Sequence, residues 1–167
     1  VSGHRETWPV RSKGFRRWLA QRFYDETGGA AGSEAYQSAL GVLEARANFE
    51  GPIRPVYVRV GGFNGRHYLD LADQAWRAVE IDSRGWRIVT EPPIRFQRSA
   101  SSKPLPRPER GGTIDALRSF LNVRSDTDFV LVVAWMLAAL RDRGPYPILV
   151  VTGEQGSAKS SFCAMIK

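Results

Sequence analysis

Residues 148–161 read Ile148-Leu149-Val150-Val151-Thr152-Gly153-Glu154-Gln155-Gly156-Ser157-Ala158-Lys159-Ser160-Ser161. An apolar, partly β-branched run leads into a loop with glycines, and the loop ends in Lys-Ser at the start of a predicted helix. A near-continuous apolar run is typical of a central strand in a parallel sheet, because such a strand is buried on both faces. Strand, glycine-bearing loop and helix in this order predict a phosphate-binding loop.

The loop offers several groups that suit phosphate and magnesium. Glycine lets the backbone turn so that consecutive N–H groups point at anionic oxygens, and the N-terminus of the next helix adds an anion site. Lys159 can reach the β- and γ-phosphates of a nucleotide, and the hydroxyl of Ser160 can ligate Mg²⁺. We therefore expect the nucleotide to be bound by Gly153, Glu154, Gln155, Gly156, Ser157, Ala158, Lys159, Ser160 and Ser161.

Ala158 occupies the position before the lysine, where the usual pattern has glycine. A methyl group is tolerable there if the backbone is already near-helical, so we interpret the loop as a variant of the pattern. The alternative is an ordinary strand–turn–helix connection that happens to contain Gly, Lys and Ser.

Residues 11–97 change from helical to strand periodicity. Ser12 begins a helix whose apolar stripe includes Trp18, and Ser33 begins a second helix. Residues 56–96 alternate with period two, and Asn64-Gly65 predicts a hairpin turn. Trp18 is a candidate for stacking on nucleic acid, but its place on the apolar stripe favours a buried position.

The expected fold class is α+β. A helical hairpin packs on a four- to five-stranded antiparallel β-meander, and a helical lead-in then reaches the first strand and phosphate loop of an α/β nucleotide-binding domain. In the lead-in, a capping box at Ser125 opens a helix from Asp126 to about Arg141. This helix is apolar on nearly all sides, which predicts burial against several neighbours.

Composition divides the chain into four regions. They are a tail at 1–10, an accessory α+β domain at 11–97, a Pro/Ser/Arg-rich linker at 98–112 and the beginning of a P-loop ATPase domain at 113–167. We expect the last of these domains to be incomplete in this chain.

The chain of 167 residues carries a formal net charge of +7. Such a charge favours polyanionic partners, DNA first, although arginine enrichment can also come from a GC-rich genome. No apolar run approaches the roughly 20 residues that span a bilayer, so we expect no membrane partner. Cys163 is the only cysteine and the N-terminus lacks a secretory pattern, which together favour the cytoplasm.

Three segments around the loop resemble the beginning of the ATPase domain in primase–helicases of phages, plasmids and integrated elements. These segments are Trp135 to Leu140, Gly144 to Val150 and Gly153 to Ser160. Upstream, Tyr68 to Leu71, Ala78 to Ile81, Gly85-Trp86 and Pro92 to Phe96 resemble the region that precedes the ATPase in the same proteins. Ala before the lysine is also found in the similar minichromosome-maintenance helicases.

The resemblance implies a parent protein of DNA replication, a hydrolase that couples ATP hydrolysis to movement on DNA as a homo-oligomeric ring. ATP and Mg²⁺ would be its cofactors, with Lys159 on phosphate and Ser160 on Mg²⁺. No acidic motif follows the loop in this chain. We therefore assign no catalytic residue and expect the chain alone to be inactive.

Two alternatives remain open. Residues 11–97 could be a non-catalytic nucleic-acid-binding or oligomerisation module that does not need ATP. The parent could also be a P-loop ATPase with no role on DNA.

Overall fold

The computed structural model describes residues 4–166. Four α-helices, one 3₁₀ helix and six short strands are formed in this part of the chain. In chain order they are α1 (Lys13–Thr27), α2 (Ser33–Phe49), β1 (Val56–Tyr57), β2 (Val60–Phe63), β3 (Arg66–Asp70), β4 (Ala78–Asp82), β5 (Gly85–Val89), β6 (Arg95–Phe96), the 3₁₀ helix Ile114–Phe120, α3 (Asp126–Ala139) and α4 (Lys159–Ile166). The α+β class is confirmed. No helix among residues 4–166 has both the length and the hydropathy needed to cross a bilayer.

The first two helices form an open hairpin. Ser12 caps α1 by accepting a hydrogen bond from the Phe15 backbone N–H at 3.2 Å, as predicted. The cap of α2 is Gly32, one residue before the predicted Ser33. Helix α1 has no buried residue. The expected burial of Trp18 is therefore wrong, since this side chain is 40% exposed.

Polar contacts join the two helices. The Arg11 guanidinium donates to both carboxylate oxygens of Glu44 at 2.6 and 2.5 Å. The Tyr36 hydroxyl donates to the backbone oxygen of Arg16 at 2.6 Å. Because long charged side chains at an exposed site contribute little free energy, the ion pair adds less to this hairpin than burial of Leu40, which is 0% exposed.

Strands β2 to β5 form the predicted antiparallel meander, with each strand beside the next in sequence. The turn between β2 and β3 has both central residues at positive φ, 50° at Asn64 and 73° at Gly65. This is the backbone conformation that Asn-Gly favours in a two-residue hairpin. The meander prediction is confirmed for four strands.

The short strand near Phe96 pairs differently from the prediction. It lies parallel to β1, with Val56 opposite Arg95 and Tyr57 opposite Phe96, in a separate two-stranded sheet. Thr7 extends this pairing through a parallel bridge to Gln97. The N-terminal segment is therefore held against β6, and β6 is not an edge strand of the meander.

The sheet has its own core, which consists of Tyr68, Ala78, Ile94 and Phe96. Tyr57, Trp76 and Val89 pack around these side chains. Neither helix of the hairpin contributes a residue to this cluster. The expected packing of the hairpin on the core of the meander is therefore wrong. The apolar side chains that cover the sheet come from the loop and strand after β5.

A buried ion pair fixes the end of this region. Arg98 donates to both carboxylate oxygens of Asp70 at 2.8 and 2.6 Å, and the Asp70 side chain is only 1% exposed. The Arg98 guanidinium also lies 3.9 Å from the centroid of the Trp76 ring. Leu105 donates its backbone N–H to Leu71 at 2.8 Å. The first half of the proline-rich segment thus lies on the sheet, whereas the domain boundaries stay predictions.

The C-terminal region, residues 113–166, contains a second cluster. Leu121, Phe129, Val132 and Phe162 are its buried members. Ser125 caps α3 as predicted, since its hydroxyl accepts from the Asp128 backbone N–H at 3.1 Å. The Asp128 carboxylate accepts from the Ser125 hydroxyl, so the reciprocal bond of a capping box to the Ser125 backbone is not formed. The expected burial of α3 on several sides is wrong here, because the structure buries only Phe129 and Val132 of this helix.

Candidate functional site

The run before the loop lies along the second cluster on one side only. Leu149 and Val151 pack against that cluster, whereas Ile148 is 89% exposed and Val150 is 75% exposed. Residues 148–152 form no strand, because no other described residue pairs with them. The predicted first strand of a P-loop domain is therefore corrected to an unpaired segment, and a P-loop domain is not formed by residues 4–166.

The Lys159 ammonium lies inside the loop. Its Nζ donates to the backbone oxygens of Gly153 at 2.9 Å and Glu154 at 2.6 Å, and it lies 3.3 Å from Ser157 Oγ. The Ser157 hydroxyl in turn donates to the Glu154 oxygen at 2.8 Å. The loop thus surrounds the ammonium group of Lys159. This ammonium is the group by which the lysine would bind a phosphate.

The first turn of α4 adds unsatisfied donors beside this ammonium. The backbone N–H groups of Lys159, Ser160 and Ser161 begin the helix, and none donates to a described residue outside it. The Ser160 side chain is exposed and makes no hydrogen bond to another residue of the 4–166 range. Free N–H groups, the helix dipole and a lysine at one place form an arrangement that favours an anion.

The backbone at Ala158 is left-handed, with φ at 60°. The expectation that this residue is near-helical is therefore wrong. Gly156, two residues earlier, also has a positive φ of 83°. This conformation costs an L-residue about 1 kcal/mol, whereas it costs glycine almost nothing. The backbone at position 158 therefore explains why the usual pattern has glycine there.

Asn122 is a loop contact that the sequence did not reveal. Its side-chain amide donates to the backbone oxygen of Ser157 at 3.3 Å, and both residues line a cavity of about 430 Å³. Arg124, Asp128 and Lys159 line the same cavity. Asn122 lies between a 3₁₀ helix and α3, where an asparagine is an ordinary loop residue, so only the folded chain identifies it.

The remaining predicted loop residues carry no distinct contact. Glu154 and Gln155 are exposed, and Glu154 contributes its backbone oxygen rather than its carboxylate to the loop. The nine predicted residues are brought together because they are contiguous. Nothing in this geometry assigns a catalytic role to any of them.

The acidic residues before the loop are engaged elsewhere. Asp126 pairs with Arg118 at 2.7 Å, and Asp128 accepts from the Ser125 hydroxyl at 2.9 Å. Within the part of the chain that the structure describes, no group of three His, Cys, Asp or Glu side chains could hold a metal ion. Ser160 therefore stays the candidate that the sequence gives for Mg²⁺, and it would need the nucleotide's own oxygens as further ligands.

Comparison of the chain with protein-family models, with curated proteins and with solved structures gave no match.

Proposed function

We propose that the chain is the N-terminal part of an ATP-dependent DNA helicase or primase–helicase of a mobile element, and that its 153–161 loop binds ATP and Mg²⁺. The observation that carries this proposal is the Lys159 ammonium held at 2.9 Å from the Gly153 oxygen, beside the free N–H groups of α4. An ordinary turn that happens to contain Gly, Lys and Ser would not require the lysine ammonium to be bound by the backbone oxygens of the same turn.

Different residues of the loop would bind the phosphates and the Mg²⁺ ion. Lys159 would turn from the carbonyl oxygens of the loop to the β- and γ-phosphates, and the N–H groups of the first turn of α4 would bind the same oxygens. Ser160 offers an exposed hydroxyl oxygen, the ligand type that Mg²⁺ prefers, so the residues fit both groups. Bound ATP and Mg²⁺ would supply the phosphoanhydride bond and the charge that screens it.

The exposed face of the segment before the loop supports a larger domain in the parent. Ile148 and Val150 point away from the cluster that Leu149 and Val151 contact. A strand that is apolar on both faces is typical of a sheet covered on both sides. We propose that further strands of the same ATPase domain cover this face, and that the parent assembles as a ring on DNA in the cytoplasm.

Nucleotide binding tests the proposal directly. The full chain is titrated with a fluorescent ATP analogue in MgCl₂, and Lys159→Ala is compared with the wild type. Because a hydrogen bond to a charged group contributes roughly 1.5–3 kcal/mol, we expect the variant to bind at least about tenfold more weakly. ATP hydrolysis should not exceed the buffer background, since no group of acidic residues among 4–166 could hold a metal ion at the loop.

The matched control is Lys103→Ala, an exposed lysine outside the loop. It should bind as the wild type does. Equal affinity of the Lys159→Ala variant and the wild type would show that the loop is not the nucleotide site.

A further inference from the structure

A second concave surface lies between the N-terminal segment, α1 and β6. It consists of two adjoining cavities of about 360 and 750 Å³ that share His4, Arg5, Thr7 and Arg95 in their walls. Trp76 lines the smaller cavity, and Trp8, Phe15, Arg17 and Trp18 line the larger one. We call this surface the Arg95 cleft. The sequence indicated Trp18 as a candidate for stacking on nucleic acid, but it did not place this residue beside Arg5 and Arg95.

The positive charge of the Arg95 cleft has no carboxylate partner. Arg5, Arg54 and Arg95 form no salt bridge with any acidic residue that the structure describes. Burial lowers the pKa of Arg95, and the neighbouring charges of Arg54 and Arg5 lower it further. Like charges held together without a counter-ion favour an anionic ligand, because binding relieves their mutual repulsion.

The acidic residues of the cleft do not cancel this charge. Glu6 is already bound at 2.8 Å to His4 Nε2 and accepts from the Trp8 indole N–H at 2.7 Å. Glu91 lines the smaller cavity and is exposed. Arg5, Arg17 and Arg95 therefore outnumber the two carboxylates that line the cleft. Arg54 lines neither cavity, but its charge acts on Arg95 and adds to the excess.

Aromatic rings stand next to the unpaired arginines. Trp18 is 40% exposed at the wall of the larger cavity, and its ring lies 5.4 Å from that of Phe15 in a tilted contact. An exposed tryptophan that faces a basic recess is suited to stacking on a base. In a duplex the bases are already stacked on each other, whereas a single strand leaves their faces free.

A second basic surface on the meander lacks these properties. Arg66 and Arg87 at β3 and β5 both pair with Glu80, a buried carboxylate that also accepts from the Tyr68 hydroxyl at 2.9 Å. Trp86 beside them lies 4.9 Å from the Arg110 guanidinium. Arg84 and Arg110 line the same recess without a salt bridge to a described carboxylate, so only part of its charge is paired. We call this surface the Glu80 face and use it as a reference, because a buried carboxylate lies at its centre.

We propose that the Arg95 cleft binds single-stranded nucleic acid, with Arg5, Arg54 and Arg95 on phosphates and Trp18 stacked on a base. The inference goes beyond the proposed ATP site, and it holds whether or not the 153–161 loop binds a nucleotide.

The test is fluorescence anisotropy of a labelled oligo-dT strand and a labelled oligo-rU strand with the full chain, in the absence of ATP. The double variant Arg5→Ala/Arg54→Ala is compared with Arg84→Ala/Arg107→Ala, which removes the same charge from exposed sites outside the cleft. For a single strand, loss of two phosphate contacts should reduce the slope of log affinity against log salt by about 1.4. The reference double variant should keep the wild-type slope.

A second pair of variants tests the stacking. Trp18→Ala should weaken binding about tenfold or more, whereas Tyr24→Ala, an exposed aromatic on the same helix, should not. Circular dichroism verifies that each variant is folded.

Three outcomes would overturn the proposal. They are no binding of either strand at low salt, equal loss in the two double variants, and full affinity after Trp18→Ala. The last result would mean that a polyanion binds without its bases being contacted. A difference between the dT and rU strands would identify the preferred nucleic acid.

Discussion

The sheet region, residues 56–105, and the C-terminal region, residues 113–166, differ in how completely they bury their own side chains. In the sheet region, Tyr68 and Asp70 are each 1% exposed, and hydrogen-bonded strands surround them. In the C-terminal region, Leu137 is 65% exposed and Ile148 is 89% exposed. The sheet region therefore encloses its central apolar and polar groups, although Val58 at its start is 69% exposed, whereas the C-terminal region presents more of its large apolar side chains to solvent.

This difference shows what each region needs in order to be stable. Among residues 4–166, no buried side-chain nitrogen or oxygen lacks a hydrogen-bond partner. The sheet region achieves this with the Asp70–Arg98 pair and the Glu80 network. The C-terminal region depends on one small apolar cluster around Phe129 and Phe162. Each region can therefore be disturbed separately.

The largest expected effect is in the sheet region. Arg98→Ala leaves the Asp70 carboxylate buried without its guanidinium, which should lower the free energy of unfolding by about 4 kcal/mol. Urea unfolding followed by circular dichroism measures it, and hydrogen exchange locates it in β3 and β4. Arg84→Ala, at an exposed turn, should change the free energy by less than about 0.5 kcal/mol. A loss below about 1 kcal/mol for Arg98→Ala would contradict the account of the buried pair.

A somewhat smaller effect should follow from Phe129→Ala in the C-terminal region. Phe129 is 4% exposed, and the Arg118 guanidinium lies 3.9 Å from its ring centroid. We expect a loss of about 3 kcal/mol, seen as faster hydrogen exchange in α3 and α4 with the sheet amides unchanged. Phe120→Ala is the control because Phe120 is 61% exposed. Equal loss of protection in both regions would mean that they unfold as one unit.

The smallest effects concern the two left-handed positions of the loop. Gly156→Ala places a Cβ at φ 83°, and Ala158→Gly removes one at φ 60°. A Cβ at position 156 would meet no atom within 4 Å, so the backbone alone decides the effect of that change. We expect hydrogen exchange of the α4 amides to become faster in the first variant and slower in the second. The free energy of local opening should change by about 1 kcal/mol in each case. Changes of the same sign would contradict the assigned backbone conformations.

Local signals predicted most of the secondary structure. The Asn64-Gly65 turn, the Ser12 cap and the Ser125 cap each depend on residues close in sequence, and the structure confirms all three. The pairing of β1 with β6 depends on residues far apart, Val56 with Arg95, and no periodicity reveals such a contact. For this reason the sequence predicts β6 at the edge of the meander, whereas the structure pairs it with β1.

Burial was harder to predict than secondary structure. The stripe that includes Trp18 is typical of a packed helix, but the sheet fills its core with Ile94 and Phe96 instead. The spacing of Gly, Lys and Ser predicts a phosphate loop, which stays a prediction, but it does not reveal the left-handed backbone at Ala158 or the contact of Asn122. Both features depend on tertiary structure, such as the contact between residues 122 and 157, and residue type alone does not predict such contacts.

The central claim is that the 153–161 loop binds nucleotide phosphates through Lys159 and the first turn of α4. The most direct measurement is the backbone amide NMR spectrum of the full chain during titration with ATP and MgCl₂. We expect the amide signals of residues 156–161 to shift, those of Arg84 and Trp86 to stay, and the loop shifts to disappear in Lys159→Ala. Unchanged signals at residues 156–161, or the same shifts in Lys159→Ala, would contradict the account.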